Sequence, residues 1–321
     1  MTVATPTQAL TREPGLQRAL DVWRSESARA ALLRLLAQRS NDGVLARGGR
    51  LMSRGYPVEL TFTTASPDTA RYTADIVHPS VPPAQRLAGV VGSLSGLGVE
   101  VPGSTVLEAL SAAQRGADLA FGAWLGGRHD VTGDRFKLYV EVPRQAHAAT
   151  GSALAAELRR ERRLLDTATL RFVGIDLPSQ TVELYYRVGP LDRAGLQSVL
   201  AAEGLGQRAV DLIDTVGTAA DWPVSQGLPG ANWCVSVTIG SPDRRGVSLF
   251  AHTPTLLGRD RVCRDRLRRL VAGRRQRLGA YDEVSAPLKA TDQRLRHHSM
   301  ATFSVSSDEP VHVGIGLRPP D

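Results

Sequence analysis

Along residues 56–77, YPVELTFTTASPDTARYTADIV, apolar and polar positions alternate in two runs joined by a short polar link. Alternation with a period of two marks half-buried strands, and SPDT supplies the turn residues of a hairpin. The unit recurs. Runs at 57–64 and 70–77 precede helical patterns near 82–96 and 104–114, and runs at 118–126 and 134–142 precede a helix near 150–165. Runs at 169–177 and 181–188 precede helices near 191–203 and 207–218, and runs at 233–240 and 246–252 precede helices near 259–277 and 281–292. The last runs lie near 300–306 and 311–318. Before the first pair, a helical pattern spans 16–38, with Leu20, Val22, Trp23, Ala31, Leu32, Leu35 and Leu36 as apolar residues, and Asn41, Asp42 and Gly43 end it.

The links within the five pairs read SPDT, GGRHDVTGD, PSQ, SPDRR and SDEP. Such short links make hairpins, so neighbouring strands are antiparallel. Two strands between helical blocks do not fit the strict alternation of a parallel doubly wound sheet. An open sheet of ten strands leaves two unpaired edges, and closure removes them. The expected fold is therefore α+β, a ten-stranded antiparallel barrel over residues 50–321 with its helices outside. A tail and helical segment, residues 1–49, packs on it. Two separate α+β domains, divided near Asp221 to Gly230, are the alternative. A barrel of ten strands is wide enough to enclose a small-molecule chamber.

Strand alternation sorts the faces. In DRFKLYVEV, Lys137, Tyr139 and Glu141 share one face, and Phe136, Leu138, Val140 and Val142 the other. In TVELYYRV, Glu183, Tyr185 and Arg187 oppose Val182, Leu184, Tyr186 and Val188. The apolar sets suit the layer beneath the helices, which turns the polar sets into the lumen. A lone polar residue on a strand is ordinary wet surface; K-x-Y and E-x-Y in successive hairpins favour the lumen. Arg71, Lys137 and Arg187 make it electropositive, with Arg318 or His312 extending the set from VHVGIGLRP, where Gly314 and Gly316 leave room beside a ligand. Tyr139 and Tyr185 offer hydroxyl donors and ring faces for a cation. Glu59 adds a carboxylate. One chemistry uses all of these: holding a diphosphate leaving group, shielding the allylic cation left behind, and orienting a nucleophile that gives up its proton.

Composition narrows the alternatives. The 321 residues are 42% hydrophobic and carry a formal charge of +7, which admits an anionic partner. RDRVCRDRLRRLVAGRRQR, residues 259–277, invites a nucleic-acid reading, but it has no stacking aromatics, and Val262, Leu267, Leu270 and Val271 form an apolar stripe. An outer barrel helix with a solvated arginine face explains it better, and no nucleic acid is expected. Cys234 and Cys263 are too few for a disulfide scaffold or zinc cluster and read as small buried residues. His129, His252, His297, His298 and His312 lack metal-ligand spacing, and His297-His298 reads as a loop. SLSGLG and GLPGA are turns, not phosphate-binding fingerprints. MTVATPTQALTREPG has no basic start followed by an apolar core, and no run reaches membrane-span length. A cytoplasmic monomer without stable membrane association is expected.

The order of elements resembles the soluble aromatic prenyltransferases of the ABBA, or prenyltransferase-barrel, family over roughly residues 50–320, in which five ββαα units close the barrel. GYPVELTFTT resembles the first strand of the indole-type members, which implies a catalytic role for Glu59 on the aromatic nucleophile. ARYTADIV resembles the partner strand, implying that Arg71 holds diphosphate. FKLYVEV looks like the strand whose lysine and tyrosine touch the donor, hence Lys137 and Tyr139. GIDLPSQTVELYYR looks like the third hairpin of the bacterial phenol-type members, with Tyr185 retained and Glu183 where asparagine is usual. The resemblance thus implies a prenyl diphosphate co-substrate, bound by Arg71, Lys137, Tyr139, Tyr185, Arg187 and Arg318. The acceptor it implies is an aromatic small molecule or a peptide side chain, as in the bacterial peptide-modifying members. Mg2+ bridging the diphosphate is an option, with Asp75 as a hard oxygen ligand. A noncatalytic isoprenoid or aromatic-ligand carrier would use the same barrel.

Overall fold

The alternating runs form ten strands: β1 Val58–Thr63, β2 Ala70–Ala74, β3 Ala123–Asp130, β4 Gly133–Glu141, β5 Thr169–Asp176, β6 Val182–Gly189, β7 Trp233–Ile239, β8 Gly246–His252, β9 His298–Ser306 and β10 His312–Leu317. The computed structural model describes residues 13–41, 44–101, 103–146, 150, 168–223, 225, 227–229, 232–239, 246–289 and 296–320. Each strand pairs antiparallel with its chain neighbours, and β10 returns to β1, so the sheet is a closed barrel. In the closing seam Gly314 faces Thr63 and Leu317 faces Leu60. β6 pairs with β7 across residues 221–230, which rules out the division into two separate sheets. The expected helix near 150–165, beyond residue 150, and the link SPDRR lie outside the described residues.

The hydrophobic core is outside the barrel wall. Val58, Leu60, Leu125, Leu138, Val140, Val173, Val235, Val237, Leu249 and Ile315 are fully buried on the outward face. Helices α1 Pro14–Trp23, α2 Glu26–Ala37, α3 Arg86–Gly96, α4 Thr105–Gln114, α5 Arg193–Ala202, α6 Ala209–Ala220 and α7 Asp260–Gly273 cover that face. α2 buries Ala28, Leu32, Leu35 and Leu36, and α6 buries Leu212, Ile213 and Val216, so each turns one apolar stripe inward. Ser25, Ser104 and Asp192 cap α2, α4 and α5 by accepting from the backbone N–H three residues on.

Four elements differ from expectation. The pattern over 16–38 is two helices, because Arg24 takes a left-handed φ of 53° and Ser25 starts a new cap. The 281–292 pattern yields only one helical turn, Tyr281–Val284, and a 3-10 turn, Ala286–Lys289; Pro287 has no N–H to continue a helix. β3 runs straight through GGRHD, and only Val131 and Thr132 turn. Gly127 is not a turn residue: a Cβ there would sit 2.3 Å from the ring of Tyr72, so the strand passes beneath a tyrosine. On α7 the buried stripe is Cys263, Arg264, Leu267 and Leu270, while Val262 is 45% exposed. Arg264 donates to Ser285 Oγ and the Asp282 carbonyl, and Arg266, Arg268 and Arg274 face Asp221, Asp282 and Asp211. Much of this arginine face is therefore spent on intramolecular carboxylates.

One buried charge cluster ties the outer layer to the barrel end. Asp75, just past β2, pairs its Oδ1 with the Arg39 guanidinium at 3.1 Å, and its Oδ2 accepts from Arg86, the first residue of α3, at 3.2 Å. Arg39 and Asp75 side chains are wholly buried. Arg39 also donates Nε to the Ala46 carbonyl (2.8 Å) and Nη1 to that of Val77. With both Asp75 oxygens facing guanidinium groups, this carboxylate does not fit the magnesium role. Among the described residues, no group of three His, Cys, Asp or Glu side chains is placed to hold a metal. No helix there is long and apolar enough to cross a membrane.

Removing one member of a buried ion network leaves its partners' charge uncompensated. D75N is expected to cost about 3–5 kcal/mol of unfolding free energy, measured by denaturant titration. A loss within error of zero would show that the cluster does not hold the outer helices to the barrel.

Candidate functional site

Cross-strand register arranges the inward residues in tiers. Arg71 on β2 faces Arg128 on β3, which faces Arg135 on β4. The next tier runs Glu59, Thr73, Gly126, Lys137 and Asp176. Beyond it come Trp124, Tyr139, Gly174 and Glu183, and then Glu141, Phe172, Tyr185 and Ser236. Period-two alternation alone turns all of these to the side opposite the buried Leu125, Leu138, Val173 and Leu184.

The cations differ in how they are held. Lys137, 3% exposed, places Nζ 2.7 Å from Glu183 Oε2 and donates to the Tyr185 hydroxyl at 3.2 Å. It also lies 5.3 Å and 5.6 Å from the ring centres of Tyr139 and Tyr185. Tyr185 in turn donates its hydroxyl to Glu183. Burial would raise the Glu183 pKa, but Lys137 and the Tyr185 hydroxyl outweigh it and hold the carboxyl down at about 2. Arg71 Nε has no hydrogen-bond partner, and no ion pair among the described residues includes Arg71. Burial, then neighbouring Arg128, lowers its pKa to about 10, so it stays charged at neutral pH. Arg128 has Asp176 at 3.9 Å. Burial acts to lower its pKa, and the facing Tyr139, Glu183 and Asp176 more than offset this.

Aromatic rings cluster on the same lumen face. Tyr139 and Tyr185 meet edge to face at 5.9 Å, and Phe250 on β8 lies 5.6 Å from Tyr185. Trp124 stacks on Phe172 at 5.2 Å, and Phe121 stands 4.7 Å from Trp124. The Trp124 indole N–H has no partner. Glu141 helps set Phe121: its buried carboxylate accepts from the backbone N–H groups of Ala120, Phe121 and Gly122 at 3.1, 2.5 and 2.9 Å. The whole chain is only 5% aromatic, yet six rings gather here.

Glu59 faces a different environment. Its Oε2 accepts from Ser299 Oγ at 2.5 Å. Burial pushes its pKa up to about 7, with the Ser299 bond opposing. Ser299 is aimed inward by its neighbour. His298, expected in a loop, is buried as the first residue of β9; its Nδ1 lies 2.7 Å from Asp260 Oδ1, and its Nε2 lies 2.9 Å from Tyr281 Oη. Gly316 serves this pair rather than a ligand: a Cβ there would lie 2.6 Å from Glu59 Cδ and 2.2 Å from Ser299 Oγ.

Glu59, Arg71, Lys137, Tyr139 and Tyr185 thus all face the barrel lumen. Arg187 is exposed near the end of β6, opposite Cys234, itself half-buried. Arg318 lies past β10, buried over the Tyr56 ring at 4.9 Å, with its N–H donating to the His297 carbonyl at 2.7 Å. His312 bonds Glu309 and Thr64 at the hairpin end. Sequence reasoning missed Arg128, Trp124, Phe172, Phe250 and Ser299. For Arg128 a signal existed, since Trp124, Gly126, Arg128 and Asp130 alternate once GGRHD is read as strand.

No protein-family model and no curated protein matches the chain. Solved structures do. A 6-dimethylallyl tryptophan synthase aligns with a TM-score of 0.75 and 18% identity, covering 99% of this chain and 96% of that one. The 6-dimethylallyltryptophan synthase from Micromonospora olivasterospora, in complex with DMASPP and Trp, gives 0.74 and 19% identity with 100% of each chain covered. The prenyltransferase PriB, in a ternary complex with L-tryptophan and dimethylallyl thiolodiphosphate, gives 0.72 and 15% identity over 100% and 99%. The polypeptide has the fold of the ABBA prenyltransferase barrel.

Proposed function

We propose that the protein transfers a dimethylallyl or longer prenyl group from an allylic diphosphate to an aromatic acceptor. The observation carrying this reading is the juxtaposition, in one closed lumen, of under-paired guanidinium groups, a band of aromatic rings and a carboxyl with a pKa of about 7. Indole compounds, tryptophan first, are the leading acceptors, because both ligand-bound structures named above hold tryptophan; a peptide side chain is the other class to test.

The roles follow from position. Arg71 and Arg128 neutralise the diphosphate as the C1–O bond breaks, with Lys137 in reach of the same region. The rings of Tyr139, Tyr185 and Phe250 shield the allylic cation and stabilise it through their faces. The acceptor attacks C1 of that cation, and its lost proton goes to Glu59, whose carboxylate Ser299 orients. Glu59 stands apart from the arginine tier, where like charge would oppose a diphosphate. Arg187 and Arg318, outside the cluster, are assigned no more than support at its margins.

Incubation with dimethylallyl diphosphate and an acceptor panel should add whole isoprene units by mass spectrometry; binding of donor without mass gain would mark a carrier instead. E59Q should bind donor normally and lose transfer roughly 10–1000-fold in single turnover. Because Glu59 must be deprotonated to act, wild-type transfer should rise with pH through about 7, and E59Q should lack that step. The same raised pKa makes the Glu59 contribution to stability complete below about 4.5, and lost as pH rises through about 7. E59Q should therefore melt higher than wild type at about pH 8, with the gap vanishing near pH 4; a constant gap would remove Glu59 as the titrating group. Finally, R71Q should weaken pyrophosphate binding in calorimetry by more than tenfold, while Y139F, which keeps its ring, should change it by less than about threefold. Equal effects would take Arg71 out of the anion site.

A further inference from the structure

Glu183 is a carboxylate in the middle of a chamber assigned to an anion. It sits on β6 between the lumen positions of Lys137 and Tyr185 and bonds both. Glu183 and the Tyr185 hydroxyl together are the hydrogen-bonding surroundings of Lys137. That ammonium is 3% exposed, with Glu183 at 2.7 Å, the Tyr185 hydroxyl at 3.2 Å and two ring faces around it. Arg71 and Arg128 are different. One has an unpartnered Nε, and the other has its nearest carboxylate at 3.9 Å, beyond hydrogen-bond distance.

We propose that Glu183 withholds Lys137 from the donor, so that a diphosphate engages Arg71 and Arg128 first and gains Lys137 only by displacing a carboxylate. The inference rests on the diphosphate reading of the lumen. Its consequence is a weakened grip on the leaving group: a free diphosphate is held less tightly than the number of lumen cations implies, which favours its release after transfer. Glu183 also repels the bound anion directly, and that effect alone would be additive with the charge of Lys137. Competition for Lys137 is not additive, and the two can be separated.

The test is calorimetric titration of inorganic pyrophosphate into the full chain as wild type, E183Q, K137Q and the double variant, each checked by thermal unfolding. E183Q should bind about tenfold tighter than wild type. K137Q should cost at least about fivefold more affinity in the E183Q background than by itself, since only there is Lys137 free to bind. If E183Q fails to fold, E183S removes the same charge with a smaller side chain. Equal or weaker binding by the neutral variant, or an additive cycle, overturns the role of Glu183 while leaving pyrophosphate binding by wild type intact. No binding by any of the four overturns the diphosphate reading along with it.

Discussion

Everything in this structure depends on one seam, the pairing of the last strand with the first. β10 meets β1 through Gly314–Thr63, Ile315–Phe62, Gly316–Thr61 and Leu317–Leu60. Without it the sheet would have two bare edges and the lumen would open sideways to water. With it, every inward side chain is enclosed by ten strands and every polar group there must find a partner or a ligand. Glu59 belongs to one side of the seam and Gly316 to the other, so closure itself builds the notch in which the Glu59–Ser299 pair sits.

Within that enclosure two glutamates have opposite fates. Glu183 is drawn to a pKa of about 2 by a lysine and a tyrosine hydroxyl, while Glu59, with a single serine, is raised to about 7. The separation comes from partners, not from depth. The two carboxyls therefore differ in charge near neutrality, one held ionised by its counterion and the other titrating there.

The barrel was legible in the sequence because period two is a local property. Leu138 and Val140 against Lys137 and Tyr139, or Leu184 against Glu183 and Tyr185, can be sorted without knowing what packs where. What escaped depends on contacts far along the chain. GGRHD looks like a turn until Tyr72, from another strand, fills the space above Gly127, and with that misreading Arg128 was lost. Ser299 shows no motif, and only Glu59, 240 positions away, gives it meaning. Asp75 reads as a lone acid in a strand, since Arg39 reaches it from the turn after α2 and Arg86 from the start of α3. Arg318 continues the alternation of the last strand on paper, but the ladder ends at Leu317 and the guanidinium lies over Tyr56.

The position of the core has a consequence for how such a chain can change. The apolar residues packed between wall and helices, such as Leu138, Val173 and Val235, lie on the opposite face of the strands from the lumen. Lumen positions such as Thr61, Thr73, Ser236 and Thr302 can therefore be exchanged without emptying a packed interior. Changes to lumen-facing residues thus leave the layer between wall and helices intact, so the shape of the lumen and the packing of the core are set on opposite faces of the same strands.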